Sequence, residues 1–351
     1  MSLTNPNERL HNDLNEILLL SKGDLEALDG ARLLITGGTG FIGTWLLETL
    51  VWAKKRLGKG PSIEVLTRHP DSFLKRSPHL VGNDKVSLTT GNILKPLKIT
   101  TKPDFIFHAA TSVNENIKLN EPRSLFETIV NGTQNVLEFA SNCNKPRLLF
   151  TSSGAVYGTL PANLRNVGED FMGGPNPLSV KNVYAEGKRA AEMLGAIANA
   201  TGVAEVVNAR IFAQIGPLLS LDAHFAAGNF VRDALKGGPI VVKGDGTTVR
   251  SYQYAADMVA WLLGILLRGE PGTAYNVGSD EDINVADLAR LIGGLSGEQI
   301  KVVIKGKKNS STLVDWYVPS VERSTKELGL ANTVSLRNGI LRTLEWNKNR
   351  N

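Results

Sequence analysis

The sequence predicts an α/β protein, in which a doubly wound parallel sheet is followed by a smaller carboxyl-terminal lobe. Between residues 31 and 212 of the 351-residue chain, short apolar segments alternate with segments of helical spacing. Such alternation is typical of a parallel sheet that helices cover on both faces. The first apolar segment runs directly into a glycine-rich loop, Thr36–Gly43. After residue 212 the pattern loosens and Gly- and Pro-rich joints appear, which indicates the second lobe.

The individual elements follow from the apolar pattern in chain order. Apolar residues recur at helical spacing over Asn7–Leu20, so a helix is expected before the first strand. We expect this helix to pack on the body of the protein, with an oligomer contact as the alternative. Later helices are predicted over Phe41–Trp52, Ser124–Ser141 and Tyr184–Ala200. The predicted strands are Ala31–Ile35, Ser62–Leu66, Val86–Leu88, Phe105–His108, Arg147–Thr151 and Val203–Arg210.

The loop Thr36–Gly43 has the glycine spacing of a dinucleotide-binding turn. Glycine permits the tight strand-to-helix turn, lets the backbone approach a pyrophosphate and allows the helix to pack closely. A helix amino terminus follows, and its free N–H groups and dipole favour an anion. The alternative is a glycine turn without a ligand. The predicted NAD(P) contacts in this loop are Gly37, Thr39, Gly40, Phe41 and Ile42.

The end of the second predicted strand bears on the choice between NAD and NADP. Sequences that bind NAD place Asp or Glu near this point, where the side chain bonds the adenosine ribose. This chain has Thr67 followed by Arg68. A guanidinium is suited to pair with a 2′-phosphate, so Arg68 is a predicted cofactor contact and NADP is slightly favoured over NAD. A plain surface arginine is the alternative.

Tyr184 and Lys188 lie four residues apart on a predicted helix and therefore share one face. The Lys188 ammonium is expected to lower the pKa of the tyrosine and to hold the nicotinamide ribose of the cofactor. A tyrosine with a lowered pKa is a workable general base when an alcohol becomes a ketone. Ser153, at a Ser-rich strand end, is expected to hydrogen-bond the reacting oxygen. Of Ser152 and Ser153, one is expected only to cap or turn the chain.

Composition argues against several other classes of function. The single cysteine, Cys143, allows neither an internal disulfide nor a cysteine-rich zinc site, so no metal and a cytoplasmic location are expected. The formal net charge is +5, but the basic residues are scattered, which favours a solvated surface over nucleic-acid binding. The longest later apolar run, Met258–Leu267, is too short to span a membrane, and no signal-peptide pattern is expected in the first thirty residues.

With these residues assembled, the sequence from about residue 31 to 330 resembles the extended short-chain dehydrogenase/reductase family, specifically its nucleotide-sugar epimerase/dehydratase/decarboxylase group. Further matching segments are His108–Ala110, Asn131–Thr133, Thr151–Gly158, Ala209–Phe212, Gly244–Thr247, Arg250–Tyr252 and Tyr275–Gly278. The resemblance implies further cofactor contacts from Ala109 and Ala110.

The domain organisation expected from these observations has three parts. Residues 1–30 form a helical extension, and residues 31–212 form a Rossmann-type NAD(P)-binding domain. Part of 250–278 returns to that domain. Residues 213–351 form mainly a substrate-binding lobe.

The resemblance also implies a substrate, a nucleoside-diphosphate sugar bound between the two lobes. Hydride transfer, usually from C4, would give a 4-keto intermediate. Arg250 is implied as a diphosphate contact, with a structural ion pair to Asp257 as the alternative. Asn229 and Asn276 are implied as further substrate contacts. His224 is either a substrate contact or a plain loop residue.

The departures from the family pattern bear on the reaction. Family 4,6-dehydratases place an Asp-Glu pair directly after the active-site serine or threonine, and decarboxylases resemble them with a Glu. Here the positions are Gly154 and Ala155, and neither can donate or accept a proton. Because dehydration needs an acid and a base, it is disfavoured, and decarboxylation is weakened. Ala213 replaces an asparagine that the family uses as a substrate contact.

The first expectation is therefore an epimerase, which oxidises and re-reduces one carbon with Tyr184 as its acid/base. The alternative is an NADPH-dependent 4-keto-sugar reductase, which Arg68 favours. Less favoured functions are a nucleotide-sugar decarboxylase, a 4,6-dehydratase and a non-catalytic cofactor-binding protein. The resemblance further implies a homodimer that associates through the helices Ser124–Ser141 and Tyr184–Ala200.

Overall fold

The centre of the fold is a seven-stranded parallel sheet. The computed structural model describes residues 6–82, 86–111, 120–223, 225–297, 299–307 and 315–348. The strands are β1 (Arg32–Thr36), β2 (Ser62–Thr67), β3 (Val86–Thr90), β4 (Phe105–His108), β5 (Arg147–Ser153), β6 (Glu205–Ile211), β7 (Gln214–Ile215), β8 (Ile240–Val242), β9 (Val249–Ser251), β10 (Gln253–Tyr254), β11 (Ala274–Val277), β12 (Asp282–Asn284), β13 (Val302–Ile304) and β14 (Trp316–Tyr317). The order in the main sheet is β11-β6-β5-β4-β1-β2-β3, which confirms the predicted doubly wound sheet.

The strand order shows where a ligand belongs. β1 lies between β2 and β4, so the chain winds outward in both directions from this point. In open α/β sheets, ligands bind outside the carboxyl ends of the strands at such a switch point. The helices are α1 (Pro6–Leu20), α2 (Lys22–Ala27), α3 (Phe41–Leu57), α4 (Pro70–Arg76), α5 (Pro122–Ala140), α6 (Val183–Ala200), α7 (Ala226–Leu235), α8 (Ala255–Arg268), α9 (Val285–Leu295), α10 (Glu322–Leu328) and α11 (Leu336–Lys348).

The sheet is buried on both faces because its strands carry continuous apolar runs. Leu33 and Ile35 of β1 pack into one layer with α3 and α8, whereas Leu34 packs into the opposite layer with α5 and α6. Trp45 of α3 and Trp261 of α8 are fully buried in the first layer. The two layers hold the carboxyl edge of the sheet in place.

The amino-terminal helices are fastened to the body of the same chain. Leu14 and Ile17 of α1 are buried against α3 and α8. The Asp13 carboxylate accepts a hydrogen bond from the Tyr254 hydroxyl at 2.6 Å. It also accepts one from the Arg342 guanidinium of α11 at 2.6 Å. These contacts join the first and last helices of the chain to the domain between them.

The second lobe has its own core and its own small sheet. Helices α7, α9 and α11 enclose apolar side chains such as Phe230, Leu288 and Ile340. A three-stranded sheet has the order β12-β9-β14, and Tyr317 of β14 lies in register with Arg250 of β9. This pairing brings two distant parts of the chain to one place beside the main sheet.

Most predicted boundaries agree with the structure to within a few residues. α3 continues past the predicted end at Trp52 to Leu57, and Gly58, with φ +68°, caps it. β5 extends beyond the predicted Thr151 to Ser153, so that Ser153 is the last residue of the strand. Within the described ranges no helix has both the length and the apolar character needed to cross a membrane.

Candidate active site

The glycine loop between β1 and α3 lies directly against the end of β4. Gly37 has φ +74°, in the left-handed region that favours glycine. A Cβ at Gly37 would lie 2.3 Å from the Ala109 carbonyl oxygen and 2.7 Å from the Ala110 nitrogen. One at Gly43 would lie 2.5 Å from the Gly37 oxygen. The loop therefore keeps this shape only with glycine at both positions.

The amino terminus of α3 faces the same region. The helix begins at Phe41, and its N-cap residue, Gly40, has no side chain to occupy the first N–H groups. Those groups have no partner within a helix, so the backbone at Phe41 and Ile42 is suited to an anion. Together with the close approach of the loop to Ala109, this cradle fits the pyrophosphate of a dinucleotide.

Two arginines stand near the adenosine end of this cradle. Arg68 follows the last residue of β2, is exposed, and makes no hydrogen bond to the described part of the chain. Arg76 of α4 donates from Nη2 to the Thr39 carbonyl oxygen at 2.6 Å. The sequence analysis missed Arg76, because nothing in the spacing shows that α4 folds back onto the loop. Both guanidiniums suit a phosphate.

The predicted catalytic residues come from two neighbouring elements. Ser153 ends β5, and Tyr184 and Lys188 lie in the first two turns of α6, on the face that covers β5. The Ser153 hydroxyl accepts the Ala155 N–H at 3.2 Å, and it lies near enough to the Tyr184 side chain to act on the pKa of that tyrosine. The neighbouring Ser152 hydroxyl donates to Glu192 at 2.5 Å, whereas Ser153 is the residue that caps the following turn, Gly154–Tyr157.

Lys188 is almost fully buried beneath the tyrosine. Its ammonium donates to the Thr151 carbonyl oxygen at 2.6 Å and to the Thr111 hydroxyl at 3.2 Å. Nζ lies 5.8 Å from the centroid of the Tyr184 ring. Burial lowers the pKa of Lys188 to about 7, and the nearby Glu192 carboxylate acts in the opposite direction.

The expected lowering of the Tyr184 pKa is wrong for the chain alone. Burial raises the pKa of this tyrosine above its ordinary value, and the nearby Ser153 hydroxyl offsets only part of that rise. The physical reason is desolvation, which disfavours the phenolate. Lys188 directs its protons at Thr151 and Thr111, so it makes no hydrogen bond that would favour the charged tyrosine.

Tyr317 completes the cluster from the second lobe, and the sequence analysis missed it. Burial raises the pKa of Tyr317, and the nearby Ser153 hydroxyl acts in the opposite direction. The ring packs on Phe212 with a centroid distance of 4.6 Å. Its hydroxyl lies 2.5 Å from the point where a Cβ on Gly154 would stand. A lone tyrosine on a two-residue strand gives no local signal of this position.

Arg250 lies beside Tyr317 on the adjacent strand. Its guanidinium carbon is 5.3 Å from the Tyr317 ring centroid, and the side chain remains about a quarter exposed. Nη2 forms an ion pair with Asp315 at 2.6 Å. The alternative, a structural ion pair between Arg250 and Asp257, is wrong. The Asp257 carboxylate is buried and accepts hydrogen bonds from Thr333 and the Val334 N–H.

Comparison with known proteins places this arrangement in a family. A profile of the "NAD dependent epimerase/dehydratase family" matches residues 33–278. The chain belongs to this family. The protein is therefore an enzyme of the NAD dependent epimerase/dehydratase family. The matched range includes both the glycine loop and Tyr184.

Curated relatives of this epimerase/dehydratase family member are decarboxylases. UDP-glucuronic acid decarboxylase 2 of Arabidopsis thaliana is 30% identical over 312 residues, covering 89% of this chain and 67% of that protein. UDP-glucuronic acid decarboxylase 1 of Xenopus tropicalis is 29% identical, covering 92% of this chain and 73% of that protein.

Solved structures support the same fold. UDP-glucose 4-epimerase of Thermotoga maritima, solved with UDP-glucose, has a TM-score of 0.78 at 22% identity and covers 91% of this chain and 99% of its own. The dTDP-glucose 4,6-dehydratase DesIV of Streptomyces venezuelae, solved with NAD, has a TM-score of 0.77 at 23% identity and covers 91% and 98%.

Asn276, a predicted substrate contact, has a structural role in this family member. It is fully buried, and its amide donates to the Val167 and Ser320 carbonyl oxygens, both at 2.9 Å. Its Oδ1 accepts the Tyr157 hydroxyl at 2.7 Å. Its side-chain polar atoms are therefore all used within the protein, and its substrate contact stays a prediction.

A buried ion pair joins α6, the helix that carries Tyr184 and Lys188, to strand β6. Arg210 of β6 makes two hydrogen bonds to Glu192 of α6, at 2.8 and 3.0 Å. Arg210 also donates to the Tyr157 hydroxyl at 3.1 Å. Since Glu192 lies one turn after Lys188, this pair fixes the stretch of α6 that carries the predicted catalytic residues Tyr184 and Lys188.

Asn229 of α7 fastens the loop before its helix. Its amide donates to the Leu221 carbonyl oxygen at 3.2 Å and to that of Ala223 at 2.5 Å. Its substrate contact stays a prediction, and His224 lies outside the described residues. In the part of the chain that the structure describes, no three His, Cys, Asp or Glu side chains group as metal ligands would.

Proposed function

We propose that the protein is an NAD(P)-dependent nucleotide-sugar epimerase that works through a 4-keto intermediate. The observation that carries this proposal is the cluster of Ser153, Tyr184 and Lys188 in a site with no carboxylate at positions 154 and 155. A tyrosine beside a lysine supports oxidation of an alcohol. The missing carboxylates leave no acid or base of that kind for elimination.

The residues of the chain divide the work between them. Tyr184 would take the proton of the sugar hydroxyl when the alcohol is oxidised and would return it when the ketone is reduced. A nicotinamide cofactor held at the glycine loop would supply the hydride chemistry. Ser153 holds the reacting oxygen beside Tyr184. Lys188, with a pKa of about 7, is partly protonated at neutral pH, and its protonated form would place positive charge near the tyrosine. In an epimerase the ketone would be reduced again on its opposite face. The proton returns to the same oxygen, so Tyr184 alone could serve as base and then as acid.

Arg250 supports a diphosphate as the substrate's anionic part. Its guanidinium is partly exposed beside Tyr317 and is held by an exposed partner, Asp315. Guanidinium groups bind phosphate oxygens in pairs, as a diphosphate linker allows. A formal net charge of +5 also favours the approach of an anionic substrate.

The second candidate is a nucleotide-sugar decarboxylase. Its support is the similarity to proteins named UDP-glucuronic acid decarboxylase, at 28–30% identity. Oxidation at C4 would leave a ketone β to a carboxylate at C5, and such acids lose CO₂ readily. Against it stands the replacement of the expected glutamate by Ala155.

Product analysis separates these functions. The purified enzyme would be incubated with UDP-, dTDP-, GDP- and CDP-sugars, including UDP-glucuronate, and the products separated by chromatography before mass spectrometry. An epimer keeps the mass of its substrate, a decarboxylated product lacks CO₂, and a reduced product appears together with oxidised NADPH. Tyr184→Phe is the control and should lose turnover. Release of CO₂ from UDP-glucuronate would replace the epimerase proposal with the decarboxylase.

We infer three further properties that follow the same interpretation. Arg68 and Arg76 favour NADP over NAD as the cofactor. The exposed apolar side chains of α5 and α6 favour a homodimer through these two helices. These side chains are Phe126, Met193 and Ile197. A single, partly buried cysteine is consistent with the cytoplasm. Sedimentation analysis of wild type and Met193→Glu tests the dimer, which should dissociate in the variant.

A further inference from the structure

The turn that follows β7 carries a leucine at a position that favours glycine. Leu219 donates its N–H to the Gly216 carbonyl oxygen at 3.4 Å, so Pro217 and Leu218 are the central residues of a turn. Leu218 has φ +67°, in the left-handed region. A turn with proline first and a positive φ second is type II, and its second central position strongly favours glycine. A leucine there is strained, and such a residue persists only where the surrounding structure holds it.

Two helices hold this turn in place. The indole N–H of Trp45, in the second turn of α3, donates to the Pro217 carbonyl oxygen at 2.8 Å, and the Trp45 side chain is fully buried. On the other side, a Cβ at Gly216 would lie 2.6 Å from the Cβ of Ala255, the first residue of α8. The backbone therefore cannot relax without breaking a buried hydrogen bond or separating from α8, so the strain at residue 218 is maintained.

The same turn borders the glycine loop. The turn and the loop line one cavity of about 970 Å³, and the shared lining includes Leu218, Leu219, Thr39, Gly40 and Phe41. Phe41 begins α3, whose first N–H groups form the anion cradle described above. Leu218 and Phe41 are both half-buried against the same apolar layer. The strained leucine thus lies beside the part of the chain that is suited to a pyrophosphate.

We propose that Leu218 is a positioning residue for the cofactor, held in its left-handed turn by Trp45 so that its side chain covers the start of α3. There it excludes water from the N–H groups of the anion cradle, and a charge interacts more strongly with such groups where the dielectric constant is lower. A glycine would relieve the strain but would leave the cradle uncovered, which explains a leucine at this position. The inference concerns cofactor binding and is independent of the sugar reaction that the protein catalyses.

Two substitutions of Leu218 separate the side chain from the strain. Leu218→Ala keeps a strained residue and shortens the side chain, whereas Leu218→Gly also removes the strain. Both should weaken binding of NAD or NADP by about tenfold in isothermal titration, because both lose the apolar cover. Leu218→Gly should nevertheless unfold at a higher temperature than Leu218→Ala, since glycine adopts a positive φ without strain. A purely structural role would make affinity follow stability, so Leu218→Gly would then bind the cofactor better than Leu218→Ala.

Lys145→Gly is the matched control for the strain. Lys145 has φ +45° and lies just before the first residue of β5, at the edge of the sheet opposite the carboxyl ends of the strands. Relief of strain at this distance should leave the affinity for either cofactor unchanged.

A pair of tryptophan variants tests the hydrogen bond that holds the turn. Trp45→Phe removes the donor to Pro217. Trp261→Phe removes a corresponding donor from α8, where the indole N–H bonds the Ala331 carbonyl oxygen at 3.1 Å. Both should lower stability, but only Trp45→Phe should weaken cofactor binding. Wild-type affinity in folded Leu218→Ala, equal losses in the two tryptophan variants, or a wild-type protein that binds neither NAD nor NADP would each overturn the inference.

Discussion

Replacement of Gly37 by alanine tests whether the loop between β1 and α3 binds the cofactor through its shape. Gly37 has φ +74°, and a left-handed conformation costs an alanine about 1–2 kcal/mol. The added Cβ would also lie 2.3 Å from the Ala109 carbonyl oxygen, whereas real Cβ contacts essentially never fall below 3.0 Å. The loop and the end of β4 must therefore separate by at least 0.7 Å, the difference between these two distances.

That displacement moves the N–H groups at the start of α3. A hydrogen bond to a charged group contributes about 1.5–3 kcal/mol, and about 1.4 kcal/mol corresponds to a factor of ten in affinity. Loss of one such bond to the pyrophosphate should weaken cofactor binding by roughly 10- to 100-fold. Isothermal titration of wild type and Gly37→Ala with NAD and with NADP measures the effect.

Gly58→Ala is the matched control. Gly58 has φ +68°, and a Cβ there would meet no atom within 4 Å. The control therefore carries the same backbone strain without the clash, and it should lower thermal stability by less than Gly37→Ala does, with no change in cofactor affinity. Wild-type affinity in a folded Gly37→Ala protein would refute the reasoning, because the close approach to Ala109 would then be irrelevant to binding.

Three other outcomes are expected. Lys188→Met should lower kcat by about 100-fold with a smaller change in KM, since the charge beside the phenolate acts in the transition state. Arg68→Ala and Arg76→Gln should each weaken NADP binding by about tenfold and leave NAD binding unchanged, as measured by parallel titrations. Equal losses for both cofactors would exclude a 2′-phosphate contact. Glu192→Gln should destabilise the fold by about 3 kcal/mol in urea unfolding, because Arg210 keeps a largely buried charge; a loss below about 1 kcal/mol would contradict this account.

Sequence was sufficient wherever a site depends on neighbours along one element. The glycine loop is one strand-to-helix turn, so its conformation and its anion-binding end follow from local spacing. Tyr184 and Lys188 share a helix face for the same reason. Ser153 could be predicted because it ends an apolar strand, and the carboxyl ends of the parallel strands lie along the edge of the sheet where ligands bind.

The residues that sequence missed or misplaced all depend on packing between distant segments. Arg76 reaches Thr39 because α4 folds back over the glycine loop. Tyr317 reaches Ser153 because β14 pairs with β9 in the second lobe. Asn276 has the residue type of a substrate contact, but its partners in two other segments turn it inward. Contacts between distant segments leave no periodic pattern in the amino-acid sequence.

The candidate site is completed only where the two lobes meet, and this affects how Arg250 can serve a substrate. Its present partner, Asp315, is about two-thirds exposed, and exposed ion pairs contribute only about 0–1 kcal/mol. A diphosphate offers the same guanidinium more negative charge in a paired geometry. Exchange of Asp315 for the diphosphate is therefore favourable at little cost. Because Tyr317 lies beside Arg250 on the adjoining strand, the same small sheet would fix both the diphosphate contact and the aromatic side chain that lies next to Gly154.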